Sequence, residues 1–213
     1  MRYVAGADEA GRGCLAGPLV AAAVLFDVQA LGVREVRALG ALNDSKQHTP
    51  AAREALYPLV MRCATRVAVV SRSCEGIDAR GLHRTNLDAL RDALIRVSDG
   101  IPAGAVLCLV DGFRVPDVGH EQRAIVDGDA TSAAIAAASI LAKVSRDRFM
   151  IRADERHPGW AFGEHMGYST PVHRDAIGRI GVSPLHRMSF RSAAYPQVPE
   201  QSSAGLRIDH HRW

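Results

Sequence analysis

Four carboxylates stand at positions where an apolar, strand-like run meets a glycine loop or a helix. Asp8 and Glu9 follow the first such run, Asp111 follows a later one, and Asp129 precedes a long alanine-rich segment. In an α/β sheet, ligands and catalytic groups collect at the ends of strands. Because an ionised carboxylate at the edge of a hydrophobic core needs a partner or a metal ion, these positions are the first candidates for a functional site.

The composition of this acidic set indicates its chemistry. Four carboxylates gathered without histidine or cysteine would repel one another and shift each other's pKa unless divalent cations neutralised them. Ligands made only of oxygen suit Mg²⁺ or Mn²⁺ and not Zn²⁺. Two such cations, about 3.5–4 Å apart, are typical of phosphodiester hydrolysis, where they activate water and stabilise the leaving oxygen.

Structural roles stay open for the single carboxylates. Asp129 can instead be the N-cap of the helix that follows it, and Asp111 can form a turn with Gly112. Asp8 and Glu9 are consecutive, and consecutive strand residues point to opposite faces of a sheet. Both can enter one site only if the strand ends there and twists, which the neighbouring glycines permit.

A glycine loop, Gly11-Arg12-Gly13, directly follows the acidic pair. It is not a nucleotide-binding fingerprint, because the next residues miss the G-x-G-x-x-G spacing and the sequence contains no G-x-x-x-x-G-K-[ST] motif. Two glycines around one arginine allow backbone amides to approach a substrate while the guanidinium reaches a phosphate or sugar. The alternative is a plain turn between two strands.

The overall composition narrows the class of protein. The 26 Lys and Arg residues stand against 23 Asp and Glu residues, a formal net charge of +3, which excludes a histone-like polycation and an acidic disordered chain. The longest apolar stretch, residues 15–26, is shorter than the roughly 20 residues that a membrane-spanning helix needs. We expect no signal peptide. Because the four cysteines form no C-x-x-C pair, we expect reduced thiols in a cytoplasmic protein.

Strands and helices alternate along the chain and must position these groups. The pattern predicts strands over residues 1–7, 17–26, 66–70, 106–110 and 124–126. It predicts helices over 49–63, with Thr49 as the N-cap and Pro50 in the first turn, and over 83–98, 131–152 and 171–178. This order favours one α/β domain with a mixed sheet over residues 1–191. The Pro- and Ser-rich residues 192–213 are typical of a flexible tail.

Five segments in a fixed order carry a resemblance to a known family. They are GADEAGRG at 6–13 with LAGP at 15–18, LNDSK at 42–46, VDG at 110–112, AAASILAKV at 136–144 with RD at 146–147, and GYST at 167–170 with HRMSF at 186–190. Together they resemble the bacterial RNase HII family, the type 2 ribonucleases H, over residues 3–191. The two lysines of the chain, Lys46 and Lys143, both fall inside these segments.

The resemblance implies a fold and an activity. The fold would be RNase H-like, with a mixed central β-sheet flanked by helices and a helical C-terminal portion. The activity would be endonucleolytic hydrolysis of the RNA strand of RNA·DNA hybrids, and nicking of duplex DNA on the 5′ side of single ribonucleotides to leave 3′-hydroxyl and 5′-phosphate ends. Asp8, Glu9, Asp111 and Asp129 would be the catalytic carboxylates that bind two Mg²⁺ or Mn²⁺ ions. We expect nucleic acid as the partner, no membrane, and a monomer.

The resemblance also implies substrate-binding residues. The loop residues Gly11, Arg12 and Gly13 would read the ribose 2′-hydroxyl, which distinguishes RNA from DNA. Tyr168 would stack on the neighbouring deoxyribose. Backbone phosphates would be held by Lys46, Asn86, Lys143 and Arg187. The structural alternatives are a packed aromatic for Tyr168 and a solvent-facing helix position for Lys143.

Three further positions near these motifs bear on binding. Asp147 is interpreted as a helix-surface partner of Arg146 or Arg152. Asp127 stands where a lysine commonly precedes Gly-Asp in the family, and Met166 where a lysine often precedes Gly-Tyr. Both replacements remove positive charge near the expected substrate path, which bears on how tightly substrate binds, and leave the four carboxylates intact.

Two rival functions remain at this stage, a hybrid-binding module without catalysis and a different nuclease on the same fold, such as a junction resolvase. The related type 3 enzyme usually has Gly-Thr-Gly in the loop and an additional N-terminal domain, so the arginine loop and the seven residues before Asp8 favour type 2. Residues 143–191 carry a net charge of +4, and neutralising the four carboxylates would raise the chain from +3 to +7. This distribution favours a nucleic-acid partner and salt-sensitive binding.

Overall fold

The computed structural model describes residues 1–42 and 49–195. The strands are β1 Tyr3–Ala10, β2 Leu19–Asp27, β3 Arg66–Arg72, β4 Val106–Asp111 and β5 Glu121–Ile125. The helices are α1 Val33–Gly40, α2 Pro50–Cys63, α3 Cys74–Arg80, α4 Leu82–Ser98, α5 Gly128–Thr131, α6 Ala133–Arg156, α7 Phe162–His165 and α8 Pro171–Ile180. Every predicted strand and helix is present, whereas the sequence pattern does not predict α1, α3, α5 and α7.

The five strands form one mixed sheet in the order β3-β2-β1-β4-β5. The pairs β1–β2 and β2–β3 are antiparallel. The pairs β1–β4 and β4–β5 are parallel. Strand β1, which carries Asp8 and Glu9, is therefore central, and β4, which carries Asp111, is its parallel neighbour. The predicted mixed α/β sheet is confirmed.

Helices cover both faces of this sheet. Ala5 and Ala7 of β1 pack in the core on the α4 side, whereas Val4 and Ala10 pack in the core on the α6 side. Because alternate residues of a strand point to opposite faces, the odd-numbered residues of β1 face α4 and the even-numbered ones face α6. This alternation fixes the directions of the acidic pair that follows Ala7.

Helix starts follow their capping residues. Thr49 caps α2 by accepting a hydrogen bond from the Ala52 amide, with Pro50 in the first turn, as the sequence predicts. Ser132 caps α6 by accepting a hydrogen bond from the Ile135 amide. The alternative in which Asp129 caps the long helix is therefore wrong, because a separate short helix, α5, holds Asp129 before the cap.

Several sequence expectations concern the chain as a whole. All four cysteines are free thiols. None of the helices in the described part of the chain is long and apolar enough to cross a membrane. Tyr195 is buried and donates a hydrogen bond to the Leu15 carbonyl at 2.9 Å, so the start of the predicted tail packs on the domain. Residues 196–213 and the segment with Lys46 lie outside the described residues.

Candidate active site

Strand β1 extends past the end of β4. Its pairing with β4 stops at Ala7, opposite Val110, while its pairing with β2 continues through Asp8 and Glu9 to Ala10. The prediction that the strand must end at the acidic pair is therefore wrong. Asp8 and Glu9 still pair with β2, but they lie beyond the last residue of β1 that pairs with β4.

A cavity of about 360 Å³ opens at this edge of the sheet. Its wall includes all four predicted carboxylates, Asp8, Glu9, Asp111 and Asp129. It also includes five of the residues assigned to substrate, Gly11, Arg12, Gly13, Lys143 and Tyr168. Arg53 and Ser139 complete the polar lining. Residues from distant parts of the chain thus meet in one place, as the resemblance implies.

Asp8 and Glu9 point to opposite faces and still reach the same cavity, because the cavity spans the end of the sheet. Asp8 faces α6, and its carboxylate accepts hydrogen bonds from the Glu9 amide at 2.7 Å and from the Ser139 hydroxyl. Glu9 faces α4, where the Asn86 amide stabilises its charged form. The Glu9 carboxylate also lies 3.6 Å from the Arg12 guanidinium.

Asp111 and Asp129 are linked through the short helix α5. Asp111 ends β4 and is followed by a turn at Gly112, which has a φ of 68°. Its Oδ1 atom accepts a hydrogen bond from the Gly128 amide at 2.7 Å. Asp129 is the next residue and is 2% exposed. The turn at Gly112 is therefore compatible with the position of Asp111 in the cavity wall.

Burial dominates the electrostatics of the acidic pair. Burial raises the pKa of Asp8 to about 7, and the charges of Glu9 and Asp111 add to this effect. Burial also raises the pKa of Glu9, although Arg12 and Asn86 oppose it. A cation beside these groups would favour their charged forms.

The donor set fits hard divalent cations. It consists of carboxylate oxygens, as Mg²⁺ and Mn²⁺ prefer, and the Oε2 atom of Glu9 is buried without a hydrogen bond from any described residue. As the side chains stand, no group of three or more His, Cys, Asp or Glu residues within 1–42 and 49–195 is arranged to hold one metal ion. The carboxylates would therefore have to draw together around a cation, which would offset their repulsion.

Two predicted phosphate contacts do not reach the cavity surface. Asn86 is fully buried on α4 behind Glu9. Arg187 is also fully buried and donates hydrogen bonds to the carbonyls of Arg12, at 3.0 Å, and Gly17, at 2.8 and 3.0 Å. We therefore revise both roles, because the first side chain supports a carboxylate and the second holds the glycine loop from behind.

Arg146 of α6 packs against this loop at Gly11. Its buried guanidinium donates hydrogen bonds to three carbonyls, those of Ala16, Pro18 and Met166. A Cβ atom at Gly11 would lie 1.9 Å from its Nε atom, so the glycine is required for this close approach. The prediction that Arg146 or Arg152 pairs with Asp147 is wrong, because Asp147 instead contacts Lys143 and Arg53.

Tyr168 and Lys143 form one wall of the cavity. Tyr168 is 43% exposed, so the alternative of a packed core aromatic does not hold. The Lys143 ammonium lies 5.9 Å from the centre of its ring. Sequence reasoning missed Arg53, which lies in the first turns of α2 outside any matched segment. A signal existed for Ser139, which is the one hydroxyl in the alanine-rich segment 136–144.

Comparisons with known proteins agree with this arrangement. The model of the family described as "Ribonuclease HII" matches residues 5–193. A ribonuclease HII from Mycobacteroides abscessus is 46% identical over 211 residues, covering 95% of this chain and 86% of that protein. The chain belongs to the ribonuclease HII family. It is therefore a ribonuclease H-type hydrolase with endonuclease activity on nucleic acid.

The fold of this chain is similar to those of solved ribonuclease HII structures. Ribonuclease H2 from Pyrococcus horikoshii OT3 superposes with a TM-score of 0.71 at 27% identity, over 89% of this chain and 94% of that chain. The RNase HII of Archaeoglobus fulgidus, solved in complex with PCNA, gives a TM-score of 0.72 at 27% identity, over 89% and 96%. The RNase H-like fold that the sequence implies is thus confirmed.

In this ribonuclease HII chain, three buried histidines anchor the backbone of Tyr168. The Gly167 and Ser183 amides donate hydrogen bonds to the Nδ1 atoms of His165 and His186, at 3.1 and 2.8 Å. His173 uses its Nδ1–H to donate to the Tyr168 carbonyl at 2.9 Å, so its Nε2 atom accepts from His186 at 3.1 Å. These directions are consistent only with neutral rings.

Acid is expected to weaken this anchor. Burial lowers the pKa of His173 to about 4 from an ordinary value of 6.5, so the unfolded chain binds a proton that the folded protein excludes. The contribution of neutral His173 to the stability of the folded protein is therefore full above pH 6.5 and is lost as the pH falls towards 4. The loss is of the order of 3 kcal/mol.

Urea unfolding measures this effect. The stability advantage of the wild type over His173→Gln should shrink as the pH falls from 7 to 5, and the difference between the two proteins cancels contributions from other groups such as Asp8. The exposed His83, changed to Gln, is the control and should show no such trend. If the difference in unfolding free energy between the wild type and His173→Gln were the same at all pH values, the neutral state of the buried histidines would be contradicted.

Proposed function

We propose that this ribonuclease HII cleaves the RNA strand of RNA·DNA hybrids and nicks duplex DNA on the 5′ side of single ribonucleotides, leaving 3′-hydroxyl and 5′-phosphate ends. The observation that carries the proposal is that four carboxylates, the Gly11–Gly13 loop and Tyr168 line one cavity. We further propose that the protein is a cytoplasmic monomer.

The residues divide the work in this proposal. Asp8, Glu9, Asp111 and Asp129 would hold two Mg²⁺ or Mn²⁺ ions. When bound, such ions supply activation of water and stabilisation of the leaving oxygen. The amides of the loop from Gly11 to Gly13, held from behind by buried arginines, would contact the ribose 2′-hydroxyl, a group that DNA lacks.

Tyr168 would act on the next nucleotide. Its ring is partly exposed at the cavity, and its backbone is fixed by His173. An aromatic ring held in this way packs well against a deoxyribose, which has no 2′-hydroxyl to accommodate. A junction between ribonucleotide and deoxyribonucleotide would therefore satisfy the loop and the tyrosine together.

Three duplexes of one sequence test the proposed function. One contains a single ribonucleotide, one is a continuous RNA·DNA hybrid, and one is entirely DNA. With Mg²⁺ or Mn²⁺, we expect cleavage of the first two and an intact third. Binding of the hybrid without cleavage would favour a non-catalytic binding module, and cleavage of the all-DNA duplex would favour a different nuclease.

Arg12→Ala is expected to reduce selectivity for the ribonucleotide. The guanidinium lies beside Glu9 and 4.5 Å from the centre of the Phe113 ring, which places it at the cavity wall. Loss of a charged hydrogen bond corresponds to about 1.5–3 kcal/mol, or roughly 10- to 100-fold in kcat/KM for the one-ribonucleotide duplex.

The matched control for this prediction is Arg12→Lys, which keeps the charge and loses the planar fork. Single-turnover cleavage of the one-ribonucleotide duplex and filter binding of the all-DNA duplex are measured for both variants. Arg12→Lys should retain more selectivity than Arg12→Ala. Equal losses on both duplexes would show that Arg12 does not discriminate between RNA and DNA.

A further inference from the structure

Arg53 of α2 lies in the wall of the active-site cavity, which also includes Lys143 and Tyr168. Its side chain is 13% exposed, so most of it is packed and the remainder reaches the cavity. The residue lies outside the segments that match the ribonuclease HII motifs. Its placement among the residues assigned to substrate therefore needs its own explanation.

Asp147 of α6 holds Arg53 and Lys143 side by side. Its Oδ1 atom lies 2.5 Å from the Lys143 ammonium, and its Oδ2 atom lies 3.7 Å from the Arg53 guanidinium. One carboxylate thus contacts both cations and brings them together in this wall. The remainder of the cavity carries the four carboxylates and Arg12, which lies beside Glu9.

A second arginine, Arg148, forms an ion pair between the same two helices, α2 and α6, outside the cavity. Arg148 of α6 forms an ion pair with Glu54 of α2 at 2.5 Å, and both side chains are nearly half exposed. Neither residue lines the cavity. This short pair already links α2 to α6, whereas the Arg53–Asp147 pair is longer and more buried. Helix bridging alone therefore does not account for an arginine in the cavity wall.

We propose that Arg53 and Lys143, spaced by Asp147, form a binding site for one backbone phosphate of the substrate. Lys143 was assigned to phosphate by the resemblance, and Arg53 supplies the second cation of the site. A guanidinium can donate two parallel hydrogen bonds to a phosphate, and an ammonium adds a point charge. The site lies next to Tyr168, so the phosphate would belong to the nucleotides on that side of the cavity. This inference rests on the proposed function.

The test compares two arginines that bridge the same helices. Steady-state cleavage of the one-ribonucleotide duplex is measured with Mg²⁺ at several salt concentrations for the full chain carrying Arg53→Gln or Arg148→Gln. Arg53→Gln should raise KM about tenfold, change kcat little, and reduce the slope of log KM against log salt by about one. Arg148→Gln should leave KM and the salt slope as in the wild type.

Asp147→Asn separates phosphate binding from a purely structural role. It removes the same ion pair as Arg53→Gln but keeps both cations, so KM should rise much less than in Arg53→Gln. Arg53→Lys should restore the salt slope. Equal increases in KM for Arg53→Gln and Asp147→Asn, or equal KM values for Arg53→Gln and the wild type, would overturn the inference. A wild-type protein that does not cleave the duplex would instead refute the proposed function.

Discussion

Asp8→Asn is expected to abolish cleavage and, at the same time, to stabilise the metal-free protein at pH 8. Asp8 is 6% exposed, and burial raises its pKa to about 7 from an ordinary value of 3.8. The folded protein therefore keeps a proton that the unfolded chain releases. The stability from this group is present below pH 3.8 and is lost as the pH rises through 7, a difference of about 4 kcal/mol.

The amide that replaces the Asp8 carboxyl group cannot ionise, so the variant does not lose this stability as the pH rises. We expect a gain of about 2–4 kcal/mol in the free energy of unfolding at pH 8 in EDTA, and a smaller gain, of about 1–2 kcal/mol, at pH 5. Activity should fall by roughly 10³-fold or more, since metal ions contribute several kcal/mol to such transition states. Urea unfolding and single-turnover cleavage of the one-ribonucleotide duplex are the measurements.

Asp175→Asn is the matched control, because Asp175 is exposed on α8 and forms a surface ion pair with Arg179. It should change stability by less than about 1 kcal/mol and leave activity unchanged. An Asp8→Asn protein that is less stable than the wild type at pH 8, or that keeps a tenth of the activity, would contradict the account of this carboxylate.

Gly6→Ala is expected to destabilise the protein severely. A Cβ atom at Gly6 would lie 2.0 Å from the backbone carbonyl atoms of Ala134 and 2.6 Å from the Ile135 amide nitrogen. These are backbone atoms at the start of α6, so no side-chain rotation can relieve the overlap. The helix would have to move away from β1, and overpacking of this kind costs about 3 kcal/mol or more.

Thermal and urea unfolding of the variant measure this cost. Gly178→Ala in α8 is the control, because a Cβ atom there meets no described atom within 4 Å and alanine favours helix. It should be neutral or stabilise the protein by up to about 1 kcal/mol. Similar unfolding midpoints for wild type and Gly6→Ala would contradict the close packing of α6 on β1.

The main elements of the fold could be predicted because their signals are local. The cap Thr49, the apolar repeat of α4 and the alanine-rich run of α6 are visible in short windows of sequence. The short helix α1 carries Val33, Val36 and Leu39 at three-residue intervals, but its eight residues are too few for this pattern to predict a helix. Helix α7 spans only Phe162–His165, which is too short for any periodic pattern.

In the candidate site, too, residues with a local sequence signal could be predicted, and residues that depend on distant contacts could not. The carboxylates could be predicted because an ionisable residue at the end of an apolar strand is itself unusual. The burial of Arg187 could not, because it depends on carbonyls 170 and 175 residues earlier in the chain. Arg53 was missed since its role depends on the packing of α2 against α6, which brings it to Asp147.

Mapping the cleavage site on a duplex with one ribonucleotide tests the central hypothesis most directly. The labelled strand is incubated with the full chain and Mg²⁺ or Mn²⁺, and the product ends are identified by length, by polymerase extension and by phosphatase treatment. We predict a single nick on the 5′ side of the ribonucleotide, with an extendable 3′-hydroxyl and a 5′-phosphate. A nick on the 3′ side, scattered cleavage in the DNA, or an uncut strand would contradict it.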